Sequence, residues 1–483
     1  MSNPVAAATQ AEMAKIDDRI DRIFAMQQAN RYRIANTGAK ERIAKLKALL
    51  NLIHRRKEHI YQALYADFQK PSPEIDITEI YAVATEIKHA IRHLKKWMKP
   101  KKVRPTLATL TTSSYIRYEP RGVALIISPW NFPFNLTFGP LVSAVAAGNC
   151  IMVKPSEYSP NTARLMKEMA RELFPEEEVA FFEGDKEVSA ELLKKPFDHI
   201  FFTGSPEVGK IVMKAAAEHL TTVTLELGGK SPVIVDETAR IGEAAQKIAL
   251  GKYLNNGQAC IAPDYMFIHQ SKFTEFIARF KQQIQAYYGE TEEDRRTTPD
   301  YSRIISDRHH ARLVKMIEEA VLQGAKVEIG GKNDPQDRYL APTVLSGVAS
   351  DMAVMREEIF GPLFPVIPYQ NLDEVLNTIN GGPKPLALYV FSRSRKNIRR
   401  ILSHTSAGGT CINEVMLHFL HVNLPFGGVN NSGFGNSHGF FGFRAFSHER
   451  AVLKQSRYTP IQLMLPPFTK TVKKILELTV KYF

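Results

Sequence analysis

Cysteine is scarce in this chain. Its three cysteines, Cys150, Cys260 and Cys411, are too few and too scattered over 483 residues for a disulfide framework or a zinc site. A reducing, cytoplasmic setting is therefore expected, one in which a free reactive thiol survives. No metal is expected: His309-His310 and the pair His418/His421 have no third ligand at useful spacing. No stretch of about 18 apolar residues is available to span a membrane. The N-terminus, MSNPVAAATQAEMAKIDDRID, lacks the basic-then-apolar layout of a signal peptide. Repeats and low-complexity segments are also missing. Acidic residues are outnumbered, 50 to 63, but unevenly. Residues 1–102 hold 20 Lys/Arg against 11 Asp/Glu and residues 450–483 hold 7 against 1, so the body between is near neutral. Basic ends could face nucleic acid or an anionic surface. With no zinc-finger spacing, aromatic RNA motif or helix-turn-helix signature, nucleic acid is excluded as a partner.

What is present is an ordinary globular composition, 44% apolar and 23% charged, long enough for two or three domains. Residues 10 to 100 show helical spacing, for example Ile43, Leu46, Leu49, Leu50 and Ile53. TLATLTTSSYIRYEP (106–120) predicts an extended hairpin. From VALIIS (123–128) onward, apolar runs alternate with helices: 135–147, CIMVK (150–154), a helix after Ser159, then FDHIFFT (197–203). Continuous apolar strands alternating with helices predict an α/β fold with a doubly wound parallel sheet, whose ligand lies at the strand C-termini. A second α/β pattern follows Glu226 and runs to about residue 414.

The chemistry concentrates in TVTLELGGKSPVIVDETARIGEAAQKIALGKYLNNGQACIAPDY (222–265). Glu226 ends a β-branched run before the Gly228-Gly229 turn, and Cys260 follows a loop of small and amide residues. An ionised cysteine is a capable nucleophile, and a carboxylate near it in space can act as a general base on water. TGSPEVG (203–209) predicts a strand-to-helix turn with Ser205 as N-cap and Pro206 at the first helical position. Gly204 would permit close backbone approach and Gly209 tight helix packing. The free N–H groups of such a helix end suit a pyrophosphate, although the two glycines are five apart, unlike the usual G-x-G-x-x-G. SPWNFPF (128–134) offers Asn131 as an amide donor on a stiff loop, and a developing oxyanion needs such donors.

LELGGKSP and NNGQACIAPDY closely resemble the two signature segments of the aldehyde dehydrogenase superfamily, and CIAPDY looks like its class 3 branch. The resemblance covers roughly residues 40 to 455, with the motifs in the family's order. It implies Cys260 as nucleophile, Glu226 as general base and Asn131 as oxyanion donor. It also implies NAD as cofactor, with NADP as an alternative, held by Lys154 and Glu157 of KPSE, by Gly204, Ser205, Gly209 and Gly228, and by Glu358 and Phe360 of EEIFGPLFPV. A carboxylate at Glu157 would repel a 2′-phosphate, which favours NAD. Phe132, Leu254 and His418 form the expected substrate-side set, and PFGGVNNSGFG (425–435) is the family's glycine-rich segment near the substrate entrance.

The implied domains are a cofactor domain (1–103 and 121–227), a catalytic domain (228–414) and a small β excursion (104–120 and 445–458). That excursion would pair with the late strand AVLKQ (451–455) and form a homodimer contact. The expected activity is NAD(P)-dependent oxidation of an apolar, aliphatic or aromatic aldehyde to the acid. Two rivals stay open: a cofactor-free cysteine hydrolase or acyltransferase, and a non-catalytic membrane-associated protein on the same fold. The tail 459–483 adds Phe468, Val472, Ile475, Leu476 and Phe483 near one helical face, with lysines around the other. It could dock on its own subunit or the partner, cover the substrate mouth, or make peripheral contact with anionic lipid.

Overall fold

The computed structural model describes residues 10–106, 109–457, 462 and 464–482. Its centre is a six-stranded sheet. Val123–Ile127, Cys150–Lys154, Val179–Phe181, His199–Gly204 and Thr222–Leu227 run parallel, and Gly433–Phe434 adds an antiparallel edge beside Thr222–Leu227. The Val123–Ile127 strand is buried throughout because its side chains feed two cores. Val123, Leu125 and Ile127 meet Ile20, Ile23 and Ile34 of the Gln10–Ala35 helix. Ala124 and Ile126 meet the apolar faces of Ala39–Arg55, Ala82–Trp97 and Asn135–Ala147. Alternate residues thus serve opposite layers, which is what a doubly wound sheet requires. In register, Ile127 lies opposite both Lys154 and Phe202, and Thr203 lies opposite Glu226. One edge of the sheet therefore gathers Lys154, Gly204 and Glu226.

The second α/β pattern is a seven-stranded sheet in the order Lys326–Ile329, Thr343–Ser346, Leu363–Tyr369, Tyr265–His269, Pro232–Val235, Ala387–Phe391 and Gly409–Ile412. Only its first edge pair is antiparallel. The expected hairpin is real, with shifted limits. Its arms are Lys101–Val103 and Thr112–Pro120, and the late strand runs Ser447–Gln455, four residues longer than AVLKQ at its N-terminal end. Residues 447–450 (SHER) are polar and show no apolar alternation, so only continuous pairing with Pro120, Glu119, Tyr118 and Arg117 reveals them as strand. In the tail, residues 459–461, 463 and 483 lie outside the described residues, and a helix spans Lys470–Tyr482. Among the described residues no helix is long and apolar enough to cross a membrane.

Candidate active site

Cys260 is delivered by a constrained turn rather than a loose loop. The Ile241–Tyr253 helix runs into Leu254–Gly257, where Asn255, Asn256 and Gly257 have φ of 51°, 56° and 72°. Three consecutive left-handed residues are costly and persist only where the surroundings fix them. Here they are fixed. Asn255 Nδ2 donates to Asn131 O (2.7 Å) and Gln258 O (3.1 Å), and Asn256 Nδ2 donates to Ser302 O (2.6 Å). Gln258 donates to Asn255 O and Arg303 O, each at 3.0 Å, and accepts from the Ile305 amide. A Cβ on Gly257 would sit 2.2 Å from Gly361 O, so only glycine fits. Half-buried Cys260 then forms part of the wall of a cavity of about 220 Å³, with Phe132, Leu136, Leu254, Met416 and Phe419 around it. Burial first, then the charges of Glu358 and Glu226, raises its thiol well above the usual range.

Asn131 is buried in the loop after Val123–Ile127, and its Nδ2 donates to Gln258 O at 3.1 Å, two residues before Cys260. Its own carbonyl accepts from Lys70 Nζ at 3.2 Å as well as from Asn255. Lys70 is fully buried and paired with Glu79 at 2.7 Å, and the second Glu79 oxygen accepts from the Asn135 amide at 2.8 Å. Glu79 sits on a π-helical turn, Asp76–Tyr81, a distortion often found at functional sites. Neither Lys70 nor Glu79 was singled out from the sequence, where they are one Lys and one Glu in a helical stretch.

Glu226 is 5% exposed near the end of its strand, paired in register with Gly433. Burial raises its carboxyl, while a hydrogen bond from the Ser437 hydroxyl and the charge of His438 pull it back down. Without the family resemblance, PFGGVNNSGFG would pass for a flexible loop. In the structure it folds back along this strand, with Leu227 N donating to Ser432 O at 3.0 Å. His418, expected on the substrate side, is not among the residues lining the cavity. Its Nδ1 faces Cys411 Sγ at 3.1 Å, and its ring packs near Tyr389 and Phe426.

A larger cavity of about 940 Å³ is lined by Ser205, Lys210, Gly228, Arg312 and Glu358 among others. Ser205 caps the Pro206–Glu218 helix as expected, accepting from Val208 N at 3.4 Å. Gly204 and Gly209 do not line the cavity, but a Cβ on either would strike the Phe202 ring at 2.5 Å or Leu227 at 2.7 Å. Gly228 faces Glu358, whose Oε2 would lie 2.1 Å from an added Cβ. Glu358 Oε1 is buried without a hydrogen-bond partner among the described residues. Burial and the charge of Asp264 push this carboxyl up to about 8. Lys154 and Glu157 form a 2.9 Å ion pair that does not line this cavity. Phe360, at φ 51°, meets Trp130 edge-on with centroids 5.3 Å apart. A capped helix end and a buried Glu358 oxygen without a partner among the described residues, both on the wall of this cavity, suit a ligand with a pyrophosphate and hydroxyl donors.

The fold and this arrangement are those of a nucleotide-dependent oxidoreductase. The chain belongs to the aldehyde dehydrogenase family, whose model matches residues 1–452. A class 3 relative, aldehyde dehydrogenase family 3 member A2 of Pongo abelii, is 42% identical over 428 residues, covering 88% of this chain and 87% of that protein. A solved structure titled as the substrate-bound state of Staphylococcus aureus AldH matches with a TM-score of 0.91 at 41% identity, covering 95% of this chain and 99% of that one. A Mycobacterium tuberculosis aldehyde dehydrogenase solved with NAD+ matches with a TM-score of 0.83 at 26% identity, covering 92% and 91%.

Proposed function

We propose that this enzyme oxidises an apolar, medium- or long-chain aliphatic or aromatic aldehyde to its carboxylic acid, with NAD as oxidant and NADP as an alternative. One observation carries the reading: Cys260 forms part of the wall of an apolar cavity, on a turn tied by hydrogen bonds to Asn131. The cofactor would be held by Lys154, Glu157, Gly204, Ser205, Gly209, Gly228, Glu358 and Phe360, and when bound it supplies the hydride acceptor. The Cys260 thiol gives up its proton to solvent water, the thiolate adds to the aldehyde carbon, and the resulting alkoxide is held by the Asn131 amide and the Cys260 N–H. After oxidation to the thioester, Glu226 takes a proton from water. The water oxygen bonds to the acyl carbon and the sulfur leaves as thiolate. Phe132 and Leu254 sit where the aldehyde's apolar part would lie. A cofactor-free cysteine hydrolase would leave the Ser205 helix end and the unsatisfied Glu358 oxygen without a role.

The test is NADH formation from a panel of aldehydes. Cys260→Ala should abolish it while NAD still quenches protein fluorescence; substantial turnover in that variant would remove Cys260 as nucleophile. The three-stranded sheet is the proposed homodimer contact, and sedimentation showing only monomer at micromolar concentration would count against it. The exposed C-terminal helix is the proposed site of weak contact with anionic lipid.

A further inference from the structure

Among the groups not used above, the turn that follows the glycine-rich segment stands closest to the chemistry. Ser437 Oγ donates to Glu226 Oε1, and the Ser437 backbone is fixed by exchange with Phe426, N to O at 2.7 Å and the reverse at 3.3 Å. The next residue, His438, has φ 72°, a left-handed conformation that a histidine holds only under constraint. The constraint comes from Glu86 on the Ala82–Trp97 helix. Its Oε2 accepts from the Gly439 amide at 2.9 Å, while its Oε1 lies 2.9 Å from His438 Nδ1 as an ion-pair contact without hydrogen-bond geometry. Phe419 and Phe426 pack edge-on against the His438 ring, at 4.7 and 5.3 Å between centroids. Ser437 is 8% exposed and Glu86 6%, so the two polar side chains that flank the turn are buried.

We propose that Ser437 is a positioning residue for the Glu226 base, and that the Glu86–His438 pair holds the turn from which it acts. The inference rests on the reading of Glu226 given above. A general base must stay ionised and aimed although it is buried, and burial favours the neutral acid. A hydroxyl donating to the carboxylate stabilises the charged form and fixes one oxygen, leaving the other for water. The charged groups acting on Glu226 are His438, which lowers its carboxyl, and Glu86, which raises it; Glu226 itself raises the Cys260 thiol across the site. In the step served, a proton passes from water to Glu226, the water oxygen bonds to the acyl carbon, and the C–S bond breaks with both electrons on sulfur. Oxidation of the aldehyde precedes this and does not need the base.

The experiment is stopped-flow NADH formation by the full-length enzyme, with and without Ser437→Ala, across pH 5 to 9. Loss of the hydroxyl raises the Glu226 carboxyl, so less base is ionised at a given pH. The variant should keep its first turnover of NADH. Its steady rate should fall about tenfold below neutrality, with the acid limb moved up by about one pH unit. Ser437→Thr, which keeps the hydroxyl, should restore both. A Ser437→Ala enzyme with the wild-type steady rate and acid limb overturns the proposal, as does equal loss of the first and later turnovers, which marks a purely structural role. NADH formation surviving in Cys260→Ala would overturn the underlying reading and this proposal with it. If Glu226→Gln keeps its first turnover but loses the steady rate while Ser437→Ala is unchanged, only the present inference fails; if Glu226→Gln is unchanged as well, the reading of Glu226 fails with it.

Discussion

Cys260 carries a thiol that burial and two carboxylates keep protonated, and Glu358 is the larger of the two charge effects. Because burial and Asp264 push the Glu358 carboxyl up to about 8, its negative charge, and with it its repulsion of a thiolate, grows as pH rises through that value. Removing that negative charge lowers the thiol's pKa, so Glu358→Gln should speed iodoacetamide alkylation of Cys260 several-fold at pH 9 and leave the rate at pH 7 nearly unchanged. Peptide mapping isolates the site, since Cys150 and Cys411 are buried. Equal rates for both proteins at pH 9 would show that Glu358 does not act on the sulfur. At this scale the sequence was informative where a residue's neighbours in the chain carry the signal. Cys260, Glu226 and Asn131 sit inside extended motifs, and Ser205-Pro206 spells out its helix start. Ser437, Glu86, Lys70 and Glu79 were silent, because each meets its partner only through the fold. Glu86 and Gly439 are 353 positions apart.

Among the elements, the π-helical turn Asp76–Tyr81 and the PWNFP loop are joined by the Lys70–Glu79 pair, both side chains at zero exposure. Breaking a buried pair from one side leaves an uncompensated charge, whereas replacing both sides with apolar residues is often near neutral. Lys70→Met should therefore cost roughly 3–5 kcal/mol of unfolding free energy. The double variant Lys70→Met/Glu79→Leu should regain most of it, and denaturant midpoints measure both. The double variant should nonetheless lose turnover, because the Asn131 carbonyl gives up its Lys70 donor. Equal destabilisation by the single and double variants would mean that the two charges are not coupled. The parallel strands were readable from the chain because burial on both faces writes them as unbroken apolar runs. Val179–Phe181 and Gly433–Phe434, three and two residues long, are too short for any period to register. The glycine-rich segment read as flexible on composition alone. Its glycines instead let backbone approach backbone: a Cβ on Gly433 would lie 2.0 Å from Leu225 O.

For the whole molecule, the C-terminal helix is the element that the chemistry does not use. Lys470–Tyr482 has no buried residue, and Val480 is 84% and Tyr482 66% exposed, too much for an element docked firmly on its own chain. Val472, Ile475 and Leu476 are half-buried and share a face, with Lys470, Lys473, Lys474 and Lys481 distributed around the remainder. None of the residues lining the Cys260 cavity belongs to this helix, which counts against a lid. A short helix with one apolar face and a lysine-rich remainder can lie in the headgroup region, held by buried apolar area and attraction to anionic lipid. Each lysine near such a surface adds about 1 kcal/mol, screened by salt. The chain without residues 459–483 should therefore lose binding to vesicles containing phosphatidylserine and keep its kcat/KM for both short and long aldehydes in vesicle-free buffer. Binding by the full chain should weaken as salt is raised and vanish on purely zwitterionic vesicles. Should the truncation leave vesicle binding intact, the anchor lies elsewhere; should it lower kcat/KM for long aldehydes alone, the helix reaches the cavity mouth and works as a lid after all.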